Sequence, residues 1–249
     1  MARQRQRIDL VLVARGLAES RAKAQALVMA GAVVAGEERV DKPGQLVDPD
    51  VPLRLKEGAA PRQYVSRGAE KLARALERFP VDPRGKVCAD LGASTGGFTD
   101  LLLQHGAERV YAVDVGYGQL HPRLRADPRV VVRERENARR LTAAALGERV
   151  DLVVADLSFI SLRLVLPAVK ELLRPGGQAV LLVKPQFEVG RGEVGKGGVV
   201  RDDAKRLAAL ASVEEAAGAL GFEVLGHCES PIPGPAGNRE WLLALRLPP

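Results

Sequence analysis

The chain is poor in the residues that form disulfides, ligate metals or cross membranes. It has two cysteines, Cys88 and Cys228, in 249 residues, which excludes a disulfide framework of the kind found in small secreted proteins. Its three histidines are scattered and no Cys/His cluster has zinc spacing, so no metal is expected. Apolar runs such as residues 179–183 are only five residues long, far below the roughly 18 that a membrane span requires. Without a secretory signal, the chain is expected to be cytoplasmic and to have no membrane partner.

The composition is that of an ordinary globular protein with a basic end. Hydrophobic residues make up 46% and charged residues 27%, and the length suits one large domain or one large and one small domain. The formal net charge is +6, from 37 basic and 31 acidic residues, and residues 1–25 hold six basic and two acidic side chains. This local excess favours a polyanion-binding end, although a solvated face would have the same composition.

Residues 1–60 are expected to form a small α+β domain. Two helical patterns each end at a glycine, and short strand patterns follow at residues 33–40 and 51–55. The polar stretch at residues 56–62 contains Gly and Pro and is expected to be the linker to the rest of the chain.

About 50 residues of this part carry a pattern typical of RNA-binding domains. The pattern consists of Arg7, Ile8, Asp9, Leu12, Gly16, Ser20, Arg21, Ala24, Leu27, Gly31, Val33 and Gly36. In these residues the part resembles the small RNA-binding domain shared by a ribosomal small-subunit protein, pseudouridine synthases and other RNA enzymes. The resemblance implies that two helices present basic side chains to RNA phosphates, with Arg7, Arg21 and Lys23 as the candidates. The alternative is a domain that serves only as a docking module.

Residues 61–249 alternate strand and helix patterns and are expected to form an α/β domain. The predicted strands are residues 87–91, 110–115, 130–132, 152–155 and 179–183, with a closing antiparallel pair at 223–226 and 240–247. The predicted helices include residues 98–105, 161–173 and 202–220. Continuous apolar strands between helices indicate a doubly wound parallel sheet, whose ligands bind beyond the carboxyl ends of the strands.

A glycine-rich turn follows the first of these strands. Residues 90–98 are Asp-Leu-Gly-Ala-Ser-Thr-Gly-Gly-Phe, so the backbone can approach a ligand closely at the start of the next helix. Asp114 ends the second strand, 22 residues after Gly92, a spacing at which an acid accepts hydrogen bonds from a ribose diol. The pattern indicates a nucleoside-containing cofactor, and the absence of G-x-G-x-x-G disfavours a dinucleotide. A tight structural turn is the alternative.

Two other glycine motifs are weaker. Residues 92–96 match the G-x-S-x-G elbow of serine hydrolases, but no oxyanion segment accompanies them. Residues 190–196 match most of a phosphate-binding loop, but Gly197 stands where a Ser or Thr should ligate magnesium. We interpret residues 189–198 as a mobile substrate loop.

Charged residues stand at the ends of two later strands. Asp156 ends the fourth predicted strand, and Lys184 directly follows the fifth. Lys71 lies on an expected helix, and Glu240 follows a segment rich in Pro and Gly. Taken singly, Lys71 and Glu240 are typical of solvated side chains.

Seven blocks of sequence connect these residues to one enzyme family. The blocks are residues 65–72, 90–100, 113–120, 136–139, 154–162, 183–189 and 234–240. In them the chain resembles the TlyA family, relatives of the FtsJ-type RNA ribose 2′-O-methyltransferases. The resemblance implies a Rossmann-like class I methyltransferase sheet and a catalytic tetrad formed by Lys71, Asp156, Lys184 and Glu240.

The resemblance also implies S-adenosylmethionine as cofactor. The cofactor would occupy the turn at residues 92–97, with Asp114 on its ribose and Asn137 near its adenine. The full set of implied contacts is Asp90, Gly92, Ser94, Thr95, Gly96, Gly97, Phe98, Asp114 and Asn137. Arg67 joins Arg7, Arg21 and Lys23 as a candidate RNA contact.

The implied reaction is methylation of a cytidine ribose 2′-hydroxyl of ribosomal RNA within ribosomal subunits. Family members act on the large subunit and, in some cases, also on the small one. The two ends of this chain resemble different subgroups, so the subunit stays open, as do the nucleotide and the oligomeric state. A neutral Lys184 would accept the hydroxyl proton, whereas a charged Lys184 would only position the oxygen.

Two rival functions remain at this stage. One is methylation of another RNA, and the other is a ribosome-assembly factor that binds RNA without turnover. The family was once called hemolysin, but the sequence has no amphipathic pore segment that would support membrane lysis.

Overall fold

The computed structural model of the protein describes residues 5–29, 31–40, 42–55, 64–190 and 192–249. The chain divides into two compact units, Met1–Gln63 and Tyr64–Pro249. The linker predicted at residues 56–62 lies outside the described residues.

Two helices make up most of the core of the small unit. α1 (Ile8–Ala14) and α2 (Arg21–Met29) pack against each other along the apolar faces that the sequence predicts. The Ser20 Oγ accepts a hydrogen bond of 3.3 Å from the Lys23 N–H and so caps the start of α2. Gly16, with φ of +69°, lets the chain turn away after α1.

Five short strands are found in the described part of the small unit, beside the two helices. β2 (Val33–Ala35) pairs antiparallel with both β3 (Glu38–Arg39) and β5 (Leu53–Leu55). β1 (Gln6–Arg7) pairs antiparallel with β4 (Leu46–Val47). The second pairing is absent from the sequence prediction, because two residues are too few to show an alternating pattern.

A seven-stranded sheet forms the centre of the large unit. Its strands are β6 (Val87–Leu91), β7 (Arg109–Asp114), β8 (Val130–Glu134), β9 (Val150–Ala155), β10 (Leu173–Val183), β11 (Glu223–Glu229) and β12 (Trp241–Arg246). They lie in the order β11-β12-β10-β9-β6-β7-β8, and β12 runs in the direction opposite to the other six strands. The predicted doubly wound sheet with a closing antiparallel pair is confirmed.

Helices cover both faces of this sheet. They are α3 (Gly68–Arg78), α4 (Gly97–Gln104), α5 (Pro122–Arg125), α6 (Ala143–Leu146), α7 (Leu166–Leu172), α8 (Pro185–Glu188) and α9 (Asp203–Ala219), with 3₁₀ turns at Ala138–Arg140, Leu162–Leu164 and Lys196–Gly198. Neighbouring residues of β9 point to opposite faces: Leu152 packs with α3 and α4, whereas Val153 packs with α7 and α9. Because both faces are covered, the strands are apolar throughout. In the described ranges, no helix has the length and apolar character needed to cross a membrane.

The helix predicted at residues 161–173 is shorter than expected. A 3₁₀ turn occupies Leu162–Leu164, and α7 begins only at Leu166. Pro167 explains the break, because its ring would clash with the carbonyl of residue 163 in a continuous α-helix. The strand predicted at residues 179–183 is longer than expected and begins at Leu173, with a register irregularity before Gln178.

The carboxyl ends of four central strands lie side by side. Leu91 pairs with both Val113 and Ala155, and Ala155 also pairs with Leu181. Parallel register therefore gathers the residues that end or follow these strands at one edge of the sheet, namely Gly92, Asp114, Asp156 and Lys184.

Candidate active site

The glycine turn after β6 is shaped by close approaches that a side chain would block. A Cβ on Gly92, which has φ of +83°, would lie 2.7 Å from the Asp156 carbonyl oxygen. A Cβ on Gly97 would lie 2.3 Å from the Ser66 Oγ, so α4 starts directly against the start of α3. Ser94 has φ of +49°, a conformation that is uncommon outside glycine. The turn thus exposes its backbone to the space beyond the strand ends.

Asp114 holds the next segment against this turn. Its Oδ2 accepts a hydrogen bond of 2.8 Å from the Ser94 N–H, and its Oδ1 accepts one of 2.7 Å from the Gly116 N–H. The carboxylate is half-buried, and each oxygen keeps a further lone pair for a ligand hydroxyl.

Asp90 is a buried carboxyl group with one unpartnered oxygen. Its Oδ2 accepts hydrogen bonds from the Thr99 N–H at 2.9 Å and the Thr99 Oγ1 at 2.7 Å. Its Oδ1 has no hydrogen-bond partner among the described residues, and Asp90 borders the cavity described below. Burial raises the pKa of Asp90 to about 7, and the charges of Asp156 and Asp114 add to this effect.

Four charged side chains form a continuous chain at the edge of the sheet. The Lys71 Nζ donates to Glu240 Oε2 at 2.7 Å and lies 3.5 Å from Asp156 Oδ2. The Lys184 Nζ lies 2.6 Å from Asp156 Oδ1 and donates to Ser158 Oγ at 3.0 Å. Lys71, Lys184 and Glu240 are buried, and Asp156 is half-buried. The two positive and two negative charges therefore balance within the chain.

A glycine makes room for the innermost of these charges. Glu240 is fully buried, and a Cβ on Gly234 would lie 2.5 Å from its Oε1. Asn238, also buried, accepts from the Val200 N–H at 2.9 Å and donates to the Gly198 carbonyl at 2.8 Å. Asn238 therefore links the segment before Glu240 to the segment predicted to be a substrate loop, of which residue 191 lies outside the described residues.

Two adjoining cavities lie over this edge. The cavity beside Lys71, Lys184 and Asp90 has a volume of about 260 Å³, and the one beside Asp114 and Asn137 has a volume of about 470 Å³. Both are lined by Gly92, Ser94, Asp156 and Ser158. Their combined size falls within the range of small-molecule sites, roughly 300–1,000 Å³.

The remaining predicted cofactor residues differ in their exposure. Ser94, Thr95 and Asn137 are exposed, and the Asn137 side chain accepts from the Arg139 N–H and caps a 3₁₀ turn. Phe98 is 4% exposed and belongs to the core, and it also borders the smaller cavity. Gly96, with φ of +95°, packs against the side chain of Leu124.

Sequence reasoning missed residues in the two segments that follow β9 and β10. Ser158 contacts Lys184, and Phe159 is 91% exposed with φ of +65° and packs against Phe187. Glu188 is buried and accepts from the Ser161 Oγ at 2.6 Å, so it ties the two segments together. The sequence signal that could have identified these residues is their position shortly after Asp156 and Lys184.

The predicted RNA-binding residues are exposed or half-exposed. In the small unit, Arg7 and Arg21 both donate to the buried carboxylate of Asp9, and Lys23 pairs with Glu19. In the large unit, Arg67 is exposed and directly precedes α3. Across the described ranges, no group of His, Cys, Asp and Glu side chains is arranged to hold a metal ion.

Comparison with known families agrees with this arrangement. The model of the FtsJ-like methyltransferase family matches residues 64–247, a range that includes the seven-stranded sheet and the four charged residues Lys71, Asp156, Lys184 and Glu240. The chain belongs to the FtsJ-like methyltransferase family. Its small unit matches the S4 domain over residues 6–51.

Relatives of this methyltransferase align along nearly its whole length. It is 52% identical over 246 residues to a Mycobacterium tuberculosis protein named 16S/23S rRNA (cytidine-2′-O)-methyltransferase TlyA, covering 99% of this chain and 91% of that one. It is 41% identical to Hemolysin A of Brachyspira hyodysenteriae, covering 95% and 98% of the two chains. A solved structure from Streptococcus thermophilus has a TM-score of 0.75 at 44% identity and covers 99% of this chain and 90% of that one. The predicted resemblance to the TlyA family is confirmed.

Proposed function

We propose that this methyltransferase transfers a methyl group from S-adenosylmethionine to a cytidine ribose 2′-hydroxyl of ribosomal RNA. In this proposal, residues 61–249 form the catalytic domain and residues 1–60 bind the RNA. The observation that carries the proposal is the chain of Glu240, Lys71, Asp156 and Lys184 beside the glycine turn. It occurs in a protein that is 52% identical to a named rRNA cytidine-2′-O-methyltransferase.

The cavity has features that suit S-adenosylmethionine. Gly92 lines both cavities without a side chain, and Asp114 has lone pairs for a ribose diol. The unpartnered Oδ1 of Asp90 offers a negative group to a cationic ligand. We propose that Asn137, at the border of the larger cavity, lies near the adenine.

Lys184 is the residue that we propose for direct contact with the substrate oxygen. When bound, S-adenosylmethionine would supply an electrophilic methyl group on a sulfonium: the bond from the ribose oxygen to the methyl carbon would form as the carbon–sulfur bond breaks, and the sulfur would leave as a neutral thioether. Two of the three donor positions of the Lys184 ammonium point to Asp156 and Ser158, which leaves one for the 2′-oxygen. Lys71, held by Glu240, fixes the other oxygen of Asp156. The network thus orients Lys184 without adding net charge.

Two routes for the 2′-hydroxyl proton fit this arrangement. If Lys184 is neutral in the reacting complex, its lone pair takes the proton as the carbon–oxygen bond forms, and this general base adds about 10²–10⁴-fold to the rate. If Lys184 stays charged, it only holds the oxygen and the proton passes to water. The first route predicts that kcat rises with pH and that Lys184→Arg is inactive, whereas the second predicts a partly active Lys184→Arg variant.

The decisive experiment is transfer of labelled methyl from S-adenosylmethionine to unmodified ribosomal subunits. Large subunits, small subunits and naked ribosomal RNA are assayed separately, with the Lys184→Ala variant beside the wild-type chain. We expect label in at least one subunit and none with the variant, and digestion to nucleosides should yield 2′-O-methylcytidine. Absence of label everywhere, with the cofactor still bound, would instead favour a non-catalytic assembly factor or another RNA.

A further inference from the structure

The carboxylate of Asp9 is the most highly coordinated buried charge of the small unit. It is fully buried, and its oxygens accept four hydrogen bonds. Arg7 contributes Nε at 3.1 Å and Nη2 at 2.9 Å, Arg21 contributes Nε at 3.0 Å, and Gln25 contributes Nε2 at 2.9 Å. The guanidinium of Arg7 holds the pKa of Asp9 well below its usual range, with Arg21 and Gln25 adding to the effect. Asp9 is therefore ionised wherever the unit is folded near neutral pH.

The two arginines that share this carboxylate still face solvent. The side chains of Arg7 and Arg21 are 41% and 54% exposed, respectively. A guanidinium has five N–H donors, and Arg21 uses only its Nε on Asp9. Within the described residues, its two Nη groups make no hydrogen bond, and neither does Nη1 of Arg7. Because each Nε edge is turned to Asp9, the opposite Nη edges are turned away from it.

We propose that Asp9 is a positioning residue that holds Arg7 and Arg21 together as one phosphate-binding pair. The proposal rests on the RNA-binding role proposed for the small unit and assigns its geometry. Two planar guanidinium groups fixed on one carboxylate offer several N–H donors to one phosphodiester, and the rotamer entropy of both side chains is already lost in the free protein. The ligand is the phosphate backbone of RNA. The shared carboxylate fixes the orientation of the two guanidinium groups and does not itself attract the phosphate.

Charge alone predicts the opposite behaviour, and this makes the proposal testable. Asp9 is negative and lies beside two proposed phosphate contacts, so its neutralisation would strengthen RNA binding if the arginines acted as independent point charges. If Asp9 organises the pair, its neutralisation weakens RNA binding although the unit becomes more positive. Asp9→Asn therefore separates the two cases by the sign of the change.

Glu19 provides a matched control in the same unit. It is exposed and pairs with Lys23, and Glu19→Gln adds the same positive charge as Asp9→Asn without touching the arginine pair. The measurement is the Kd of the full chain for an unmodified 23S rRNA transcript at salt concentrations from 50 to about 300 mM. We expect Asp9→Asn to raise the Kd about tenfold and to lower the log–log salt slope by about one. Glu19→Gln should leave the Kd unchanged or lower it.

Two further readings distinguish positioning from a purely structural role. In the methyl-transfer assay, Asp9→Asn should raise the KM for RNA and leave kcat unchanged, and thermal unfolding reports whether the unit stays folded. If Asp9→Asn unfolds the unit, Arg21→Lys is tested instead. This variant keeps the positive charge but lacks the planar guanidinium, which can bond the carboxylate and a phosphate at the same time. Arg21→Lys should then weaken RNA binding about as much as Arg21→Gln.

The outcomes separate this inference from the function on which it rests. Tighter binding by Asp9→Asn, parallel to Glu19→Gln, or wild-type binding by Arg21→Lys would overturn the positioning role alone. An Arg7→Gln/Arg21→Gln double variant with unchanged Kd and salt slope would overturn both the pair and the proposed RNA contact of the small unit.

Discussion

The two units contain charge clusters of opposite design. At the edge of the large sheet, Lys71, Asp156, Lys184 and Glu240 form a balanced, mostly buried chain. In the small unit, the buried carboxylate of Asp9 is paired with two arginines that remain about half exposed. The first cluster has no net charge and the second has a surplus of one positive charge. A buried cluster without net charge suits chemistry on a group that is bound against it, as in the large unit. An exposed positive surplus suits attraction of a polyanion from solution, as in the small unit.

Burial determines how far each cluster acts. Interactions between buried charges are weakly screened by salt, and removal of one partner leaves the other unpaired in the core. Exposed charges are screened beyond about 10 Å at 0.1 M salt, so their effect depends on ionic strength. The stability contributed by the large cluster should therefore be insensitive to salt, whereas the attraction of a polyanion by the exposed arginines of the small cluster should weaken as the salt concentration rises.

The largest effect is expected from Lys184→Ala. Because Lys184 has one donor position free for the substrate oxygen, its loss should lower kcat by about 10²–10⁴-fold. The Kd for S-adenosylmethionine, measured by calorimetry, should stay within about twofold, since Asp90, Asp114 and the glycine turn are untouched. Lys170→Ala serves as the control, because Lys170 donates to the Leu220 carbonyl and lines neither cavity. Loss of cofactor binding in Lys184→Ala would show that Lys184 belongs to the cofactor site.

Glu240→Gln is expected to give the largest loss of stability. It removes the negative charge that lies 2.7 Å from the buried Lys71 Nζ and leaves the ammonium only partly compensated by Asp156 at 3.5 Å, which should lower the free energy of unfolding by about 3 kcal/mol. Glu223→Gln is the matched control, because Glu223 pairs with Arg246 at the surface and should contribute less than about 1 kcal/mol. Urea unfolding of both variants measures the difference. Equal losses would show that burial does not distinguish these pairs.

The sequence predicted the sheet edge better than it predicted the burial of individual charges. Asp156 and Lys184 follow apolar strands, so parallel register alone brings them together. Lys71 and Glu240 are 169 positions apart and are typical of solvated residues when taken singly, so only the family resemblance connected them. Their burial depends on the space at Gly234, which no local pattern reveals.

The small unit shows the same limit. The helical faces and their terminal glycines were predictable, because each leaves a local pattern in the sequence. The burial of Asp9 was not, since an acid in the first turn of a helix is typically solvated and stabilises the helix dipole. Its partners Arg21 and Gln25 lie on the next helix, and that contact exists only after the helices pack.

Asp114→Ala sharpens the contrast within the large unit, because Asp114 is half-buried and faces the larger cavity. Loss of a charged acceptor for the ribose should raise the Kd for S-adenosylmethionine by about 10–100-fold. Part of the loss comes from freeing the Ser94 and Gly116 N–H groups that Asp114 now holds. Asp127→Ala should leave cofactor binding unchanged, because Asp127 lines neither cavity. An unaltered Kd in Asp114→Ala would contradict the ribose contact.

Asp90 should couple cofactor binding to pH. Its pKa in the fold, about 7, is raised above the usual 3.8, so its contribution to stability is full below about pH 4 and is lost as pH rises through 7. A cationic cofactor favours the ionised carboxylate, so its binding to the protonated form should release a proton. The affinity for the cofactor should therefore rise by up to about tenfold for each unit by which the pH increases towards 7. Calorimetry in two buffers of different ionisation enthalpy measures this release. Asp90→Asn should abolish it, and persistent release in that variant would assign the proton to another group.

Lys23→Gln should give the smallest change in stability, because Lys23 is an exposed side chain. Lys23 pairs with Glu19 across one helical turn at the surface, so its loss should change the free energy of unfolding by less than about 0.5 kcal/mol. If Lys23 contacts an RNA phosphate, the same variant should lower the log–log salt slope of RNA binding by about 0.7–1. Gln25→Ala, by contrast, removes a neutral partner of Asp9 and should leave the slope nearer to its wild-type value. A slope unchanged in Lys23→Gln would contradict the phosphate contact of Lys23.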